Sequence, residues 1–355
     1  MDYKDQPTTI RKGEELDSAN VEAFLRETIP ELQGEMIIRQ FHSGHSNLTY
    51  LVTFGDRQMV LRRPPFGTKA KTAHDMGREY RILSALKDIY PYGPEPLAYT
   101  EDNSIIGCPF YIMERIEGII VHSEFPSDIM ESPDNVRALC RKLIEVQYEL
   151  HSIDYRKAGL DDFGKPRGYV KRQVLGWCKR YRNARTSDAP DFEAVMVWLE
   201  EKIPPDSDVP GIIHNDFKLD NVVLDPINPM DIKGVLDWEM ATVGDPLMDL
   251  GCSLAYWIQK DDPPEAQAMR LMPTDAHGAL TRNELVRYYT ELSGRTIDNF
   301  DFYYCFGLFR LAVIAQQIYY RYFHKQTKDE RFKDMILVIK ILDKITQLNI
   351  ERSDL

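Results

Sequence analysis

Apolar positions change period about a third of the way along the chain. Between residues 36 and 63 they recur at every second position, as in Leu48, Tyr50, Val52 and Phe54, the pattern of strands with one buried face. Strands are predicted at 36–41, 48–54 and 58–62, the last two joined by a Gly55-Asp56 turn, which makes an antiparallel meander. A helix at about 18–28 precedes them, with Asp17 and Ser18 as N-cap and Pro30 beyond its end. Behind the meander, Met76, Tyr80 and Leu83 recur at helical spacing after Thr72-Ala-His-Asp75, which reads as a capping box. A helix is therefore expected over about 73–87. Strands near 97–100 and 109–115 complete a small sheet with this helix against it.

Past Gly118 the period is helical. Ser132 is a candidate N-cap with Pro133 at the first helical position, and the apolar repeat then runs down to His151. Further helices are predicted at about 169–185, 191–202, 246–258, 281–293, 299–324 and 329–348, with Thr281-Arg-Asn-Glu284 as a second capping box. A short β insertion interrupts them at 211–214, 222–224 and 232–236, the last two linked by turn residues Asp225, Pro226, Asn228 and Pro229. The whole is an α+β chain with no internal repeat.

Charge narrows the choice of partners. Lys plus Arg is 44 and Asp plus Glu is 56, a net charge of -12, the wrong sign for a general attraction to phosphate backbones, so nucleic acid is not an expected partner. The five cysteines are scattered with no C-x-x-C pair, which reads as reduced thiols. The most apolar late stretch, 302–323, is interrupted by Arg310 and Arg321 with ten residues between them, against roughly 20 needed to span a bilayer. A core helix, no membrane partner and a cytoplasmic location are the expectations.

The β insertion carries the chemistry. It holds H-N-D-F-K-L-D-N at 214–221, followed by V-L-D-W-E at 235–239, so that Asp216 and Asn221 are five apart and Asp237 comes sixteen later at a strand end. A carboxylate near an acceptor hydroxyl, with an amide and a second carboxylate as hard oxygen ligands for magnesium, is the equipment of phosphoryl transfer from a nucleotide. These motifs resemble those of the aminoglycoside phosphotransferase and choline kinase-like small-molecule kinases, which share a protein-kinase-like two-lobed fold. The resemblance runs from about Ile37 to the C-terminal helices. It implies that Asp216 is the catalytic base, that Asn221 and Asp237 are magnesium ligands, and that His214 and Asp249 are structural, Asp249 bracing the catalytic loop. Family members usually carry Gly where this chain has Asn215, the non-glycine residue most tolerant of left-handed backbone.

Further residues follow from the same resemblance. The meander turn H-S-G-H-S-N, with Ser43, Gly44, His45, Ser46 and Asn47, would cover the phosphates of ATP or GTP, and Arg62 in M-V-L-R-R-P-P stands where the family places a cation on them. Glu79 lies off the apolar stripe of its helix, where it can point along the sheet and pair with Arg62. In C-P-F-Y-I-M-E-R-I-E-G, residues 108–118, backbone groups near Glu114 and Ile116 would bind adenine, with Met113 lining the pocket. The division implied is an N-lobe over 1–117 and a helical C-lobe over 118–355 that carries the catalytic and metal-binding loops and the acceptor site.

Between Lys165 and Arg185 there are eight cations and no acid. Val170, Val174, Trp177 and Tyr181 form one apolar stripe of this helix, and the cations are either a solvated face or a site for an anionic acceptor. Tyr169, Lys171, Arg172, Trp177, Lys179 and Tyr181 are the candidate acceptor-binding residues. The stretch 168–177 together with V-L-R-R-P-P resembles the subfamily also found fused to acyl-CoA dehydrogenases, which implies a hydroxyacyl-CoA or similar anionic alcohol. The expected function is thus magnesium-dependent transfer of a γ-phosphoryl group to a small-molecule hydroxyl. The rivals are a non-catalytic nucleotide-binding pseudokinase, an aminoglycoside- or choline-type kinase, and a protein kinase, against which D-W-E in place of D-F-G and the helix directly after Asp249 both count.

Overall fold

A computed structural model describes residues 6–41, 47–66, 75–327 and 329–355. In chain order the elements are α1 (Ser18–Thr28), β1 (Met36–Phe41), β2 (Leu48–Phe54), β3 (Arg57–Arg63), α2 (Met76–Leu86), β4 (Pro96–Thr100), α3 (Asn103–Ile106) and β5 (Phe110–Glu114). Then come α4 (Ser127–Met130), α5 (Pro133–Ser152), α6 (Tyr169–Ala184), α7 (Glu193–Glu201), β6 (Gly211–Ile213), β7 (Val222–Leu224), β8 (Ile232–Val235) and β9 (Thr242–Gly244). Five helices follow: α8 (Pro246–Ala255), α9 (Pro264–Gln267), α10 (Arg282–Ser293), α11 (Phe300–Phe323) and α12 (Met335–Arg352). They form two compact units, one of residues up to Ile120 with Asn221–Ala241, the other of Val121–Asp220 with Thr242–Leu355.

The first unit is built on an antiparallel sheet of order β1-β2-β3-β5-β4. Phe54 pairs with Arg57 across the Gly55-Asp56 turn, so the register of β2 and β3 is fixed by a two-residue hairpin. Alternation then sorts the side chains: Tyr50, Val52, Phe54, Met59, Leu61, Phe110 and Ile112 form one core with Val21 and Leu25 of α1. Arg62, one residue out of phase with Leu61 and paired with Tyr111, is thereby committed to the opposite face. The α2 helix starts at Met76, with Asp75 as N-cap accepting from the Arg78 N–H at 3.0 Å. The expected start near 73 and the capping residues Thr72 to His74 lie outside the described residues.

The hairpin β7–β8, which the sequence reading groups with the helices, packs with this first unit. Ile119 and Leu224 exchange backbone hydrogen bonds of 3.0 and 2.8 Å, and Val235 N–H donates to Tyr92 at 2.7 Å. Gly118 permits this approach, because a Cβ there would lie 2.3 Å from the Leu224 carbonyl oxygen.

In the second unit, helices surround the short sheet β6–β9. The helix α11 is buried on nearly every side, and among the described residues no helix is long and apolar enough to cross a membrane. It crosses α8 where two glycines meet: a Cβ on Gly251 would lie 2.3 Å from the Tyr303 carbonyl oxygen, and one on Gly307 2.3 Å from that of Gly251. Gly251→Ala should therefore lower the stability to urea by about 1–3 kcal/mol, as overpacking does. An unchanged midpoint would show that this crossing is looser than its geometry.

One helix start differs clearly from expectation. The last helix begins at Met335 rather than 329, because Asp329 accepts from Arg331 N–H and closes a single 3-10 turn first. The single-turn helices α3, α4 and α9 and the strand β9 were not predicted. All five cysteines are free thiols, four of them buried.

Candidate active site

Two clusters of functional side chains form, one in each unit. In the first, Arg62 on β3 lies 3.4 Å from Glu79 of α2, and its Nη2 donates to Asp237 Oδ1 at 2.9 Å. Asn47 at the start of β2 donates to Glu79 Oε1 at 3.1 Å and to Glu239 Oε2 at 2.8 Å, while Tyr111 OH donates to Glu79 Oε2 at 2.8 Å. Burial works against the Arg62 charge, but Glu79, then Tyr111 and Asp237, outweigh it, and the pKa of the guanidinium rises. For Glu79 burial is the larger effect and raises its pKa against the pull of Arg62 and Tyr111.

Asp237 and Asn221 are brought together by the hairpin. Val222 pairs with Val235, and Leu236 N–H donates to the Asn221 carbonyl at 2.8 Å, so the amide and the carboxylate share one end of the ladder. Asp237 takes left-handed backbone, φ 67, an unusual conformation for a non-glycine residue. Trp238 fixes the turn behind it, its indole N–H donating to Val235 O at 2.8 Å. Asn221 and Asp237 are hard oxygen donors of the kind magnesium takes, and Asp237 keeps about a third of its side chain exposed, so the pair suits a metal that also needs ligand phosphates.

The expected adenine-binding segment is the end of β5. Met113 is buried and Glu114 exposed. Glu114 N–H donates to Glu95 O at 2.8 Å, whereas among the described residues the Ile116 N–H has no partner. Glu114 also lines an open cavity of about 530 Å³ with Asp56, Arg57, Glu95 and Glu117. Of the proposed phosphate-covering turn, Ser43, Gly44, His45 and Ser46 lie outside the described residues.

In the second unit the loop after β6 is held by one carboxylate. Asp249 of α8, fully buried, accepts from the backbone N–H of His214 at 3.0 Å and of Asn215 at 2.6 Å. His151 Nε2 lies 2.9 Å from it and Gln147 Nε2 3.4 Å, and His151 Nδ1 is 2.8 Å from Tyr289 OH. Burial alone would raise the Asp249 pKa, but the His151 hydrogen bond and the other donors reverse this and lower it. His214 is itself buried, its Nδ1 accepting from Asp216 N–H at 3.3 Å. Asn215 does adopt left-handed backbone, φ 65, and accepts from Tyr169 OH at 3.3 Å.

Around Asp216 stand residues that sequence reasoning did not assign. Lys218 Nζ is 3.5 Å from Asp216 and 3.4 Å from Asp220, and sits 5.1 Å from the Tyr256 ring centre. Burial disfavours its charge, but the two carboxylates prevail and its pKa rises. The signal was present, since Lys218 lies inside the quoted motif. Glu239 likewise follows Asp237 by two residues and joins its cluster.

The basic run divides. Tyr181 is fully buried against Phe192 and Phe309, with its OH on Pro190 O at 2.6 Å, so it is a core residue and not an acceptor contact. Arg172 folds back onto the carbonyls of Lys165 and Arg167, and Arg182 pairs with Glu193 at 2.7 Å. Lys171 and Lys179 are exposed, and Tyr169 and Trp177 are buried.

The fold and these clusters belong to a known class: the chain is a member of the phosphotransferase enzyme family APH, whose sequence profile matches residues 37–279. Among its relatives, the mouse protein named acyl-CoA dehydrogenase family member 10 is 39% identical over 290 residues, 81% of this chain and 27% of that protein. The chain thus spans about a quarter of that relative's length. A Ralstonia eutropha chain crystallised as a candidate aminoglycoside phosphotransferase is 28% identical with TM-score 0.82, covering 96% of this chain and 100% of the other. A thermostable variant of aminoglycoside phosphotransferase APH(4)-Ia, crystallised with AMP-PNP and hygromycin B, has TM-score 0.57 at 17% identity, covering 93% and 98%. The fold is protein-kinase-like.

Proposed function

We propose that this chain transfers the γ-phosphoryl group of ATP, or GTP, to a hydroxyl of a small anionic alcohol. The observation that carries this reading is Arg62, a buried guanidinium whose Nε lies 3.4 Å from the Glu79 carboxylate. A cation held in this way serves nucleotide phosphates, and Asp237 and Asn221 supply the oxygens that would hold magnesium. Bound magnesium would neutralise charge on the β- and γ-phosphate oxygens. Residues 43–47 would cover the phosphates, and Met113, Glu114 and Ile116 would meet the base. Asp216 accepts the proton of the acceptor hydroxyl as its oxygen bonds to the γ-phosphorus, while the bond from phosphorus to the β,γ-bridging oxygen breaks and the diphosphate leaves.

The acceptor reading rests on charge and kinship. Exposed Lys171 and Lys179 repel a polycationic aminoglycoside, and the acyl-CoA dehydrogenase name of a relative supports a hydroxyacyl-CoA. One observation favours a second, non-catalytic reading: Arg62 engages the very carboxylate a metal would need. Titration calorimetry separates the two. ATP should bind at least tenfold more tightly with magnesium than without, and Asp237→Ala should erase that difference and abolish turnover. Equal affinity with and without magnesium, in a chain that still folds, would support the non-catalytic reading.

A further inference from the structure

Arg310 lies near the middle of α11 with 5% of its surface exposed. Its guanidinium stands 5.3 Å from the centre of the Trp177 ring. Among the described residues no carboxylate lies within ion-pair distance of it. Arg282, in the same unit, shows the alternative: it grips Asp262 through two bonds of 2.6 Å. A buried guanidinium cannot shed its proton, and a cation–π contact offsets only a small part of the cost of its desolvation. Arg310 thus lacks the carboxylate partner that Arg282 has.

The surroundings of this guanidinium say what it awaits. Cys252, Tyr256, Asp216 and Tyr169 are among the ionisable groups near enough to act on its charge, and Arg180 stands 4.6 Å from the same Trp177 ring. Lys218 is already committed to Asp216 and Asp220. From this geometry we infer that Arg310 is an acceptor-binding residue, whose guanidinium takes an oxyanion of the acceptor close to the hydroxyl served by Asp216. The inference rests on the kinase reading only for the role of Asp216, and in place of a hydroxyacyl-CoA, whose acyl end is a neutral thioester, it favours hydroxy compounds with a free carboxylate or phosphate near the reacting hydroxyl. Trp177 lies within cation–π distance of both guanidinium groups.

The test is binding, which needs no turnover. Titration calorimetry would compare 3-hydroxybutyrate with 1,3-butanediol and glycerol 3-phosphate with glycerol, on the full chain and on Arg310→Gln and Arg310→Lys, each checked by thermal melting. At least one anion should bind while its neutral partner does not, Arg310→Gln should weaken it tenfold or more, and Arg310→Lys should fall between. The arm that binds tells carboxylate from phosphate. Should Arg310→Gln fail to fold, the comparison of charged with neutral ligands on the wild type, together with Arg310→Lys, still decides. Equal binding of the neutral analogues, no anion binding, or unchanged affinity in a folded Arg310→Gln would overturn the inference. Anion binding through Arg310 without any phosphoryl transfer would instead remove the kinase reading and leave this site standing.

Discussion

Asp216→Asn should lower the rate of phosphoryl transfer by about 10²- to 10⁴-fold and leave nucleotide affinity nearly unchanged. The amide keeps the size of the side chain and can still accept a hydrogen bond, but it cannot take up the hydroxyl proton. The loop should survive the exchange, because its anchor is Asp249: the His214 and Asn215 N–H groups donate there at 3.0 and 2.6 Å. Lys218 would lose one of two carboxylates and keep Asp220 at 3.4 Å. The split between rate and binding carries the assignment. Parallel losses of both would make Asp216 a structural member of the loop.

Asp249→Ala should cost about 3–5 kcal/mol of stability, the scale for removing one partner from a buried pair. Two backbone N–H groups, His151 Nε2 and Gln147 Nε2 would all lose their acceptor inside the protein, and each donor so stranded costs about 1–3 kcal/mol. The pH dependence has a definite sign. Because the folded Asp249 pKa is depressed below its ordinary 3.8, its contribution is complete above that value and is lost as pH falls through the lower folded value. Urea melts at pH 7 and near pH 3 should show the wild type losing part of this contribution in acid and Asp249→Asn losing less. Identical acid sensitivity in the two would remove Asp249 as the loop's electrostatic anchor.

Much of this was legible in the chain, for reasons that differ by residue. Arg62 and Glu79 could be paired in advance because the period of two fixes the face of a strand and the helical period fixes the position of Glu79. Asn215 in left-handed backbone followed from its standing where relatives carry glycine. The strand β9 was not legible, since Thr242–Gly244 is three residues long and exists only through its pairing with β6. Single-turn helices carry too few residues to show a period. The eight cations of 165–185 misled in part, because sequence cannot show that Arg172 folds onto its own turn, that Arg182 pairs with Glu193, or that Tyr181 joins Phe192 and Phe309 in the core. Arg310 was visible as a charge in an apolar run, but its neighbours Trp177, Cys252 and Tyr256 come from other helices. A contact between distant segments leaves no local pattern.

The central claim, that a γ-phosphoryl group passes to a hydroxyl with Asp216 as base, is tested most directly with ATP labelled by oxygen-18 on its γ-phosphate. The chain would be incubated with this ATP, magnesium and a panel of small hydroxy compounds including hydroxyacyl-CoA esters, and the products weighed by mass spectrometry. A labelled phosphate ester formed by the wild type and lost in folded Asp216→Asn is the expected result. Magnesium-ATP bound but no labelled ester from any hydroxy compound, or equal ester formation by Asp216→Asn, would contradict it.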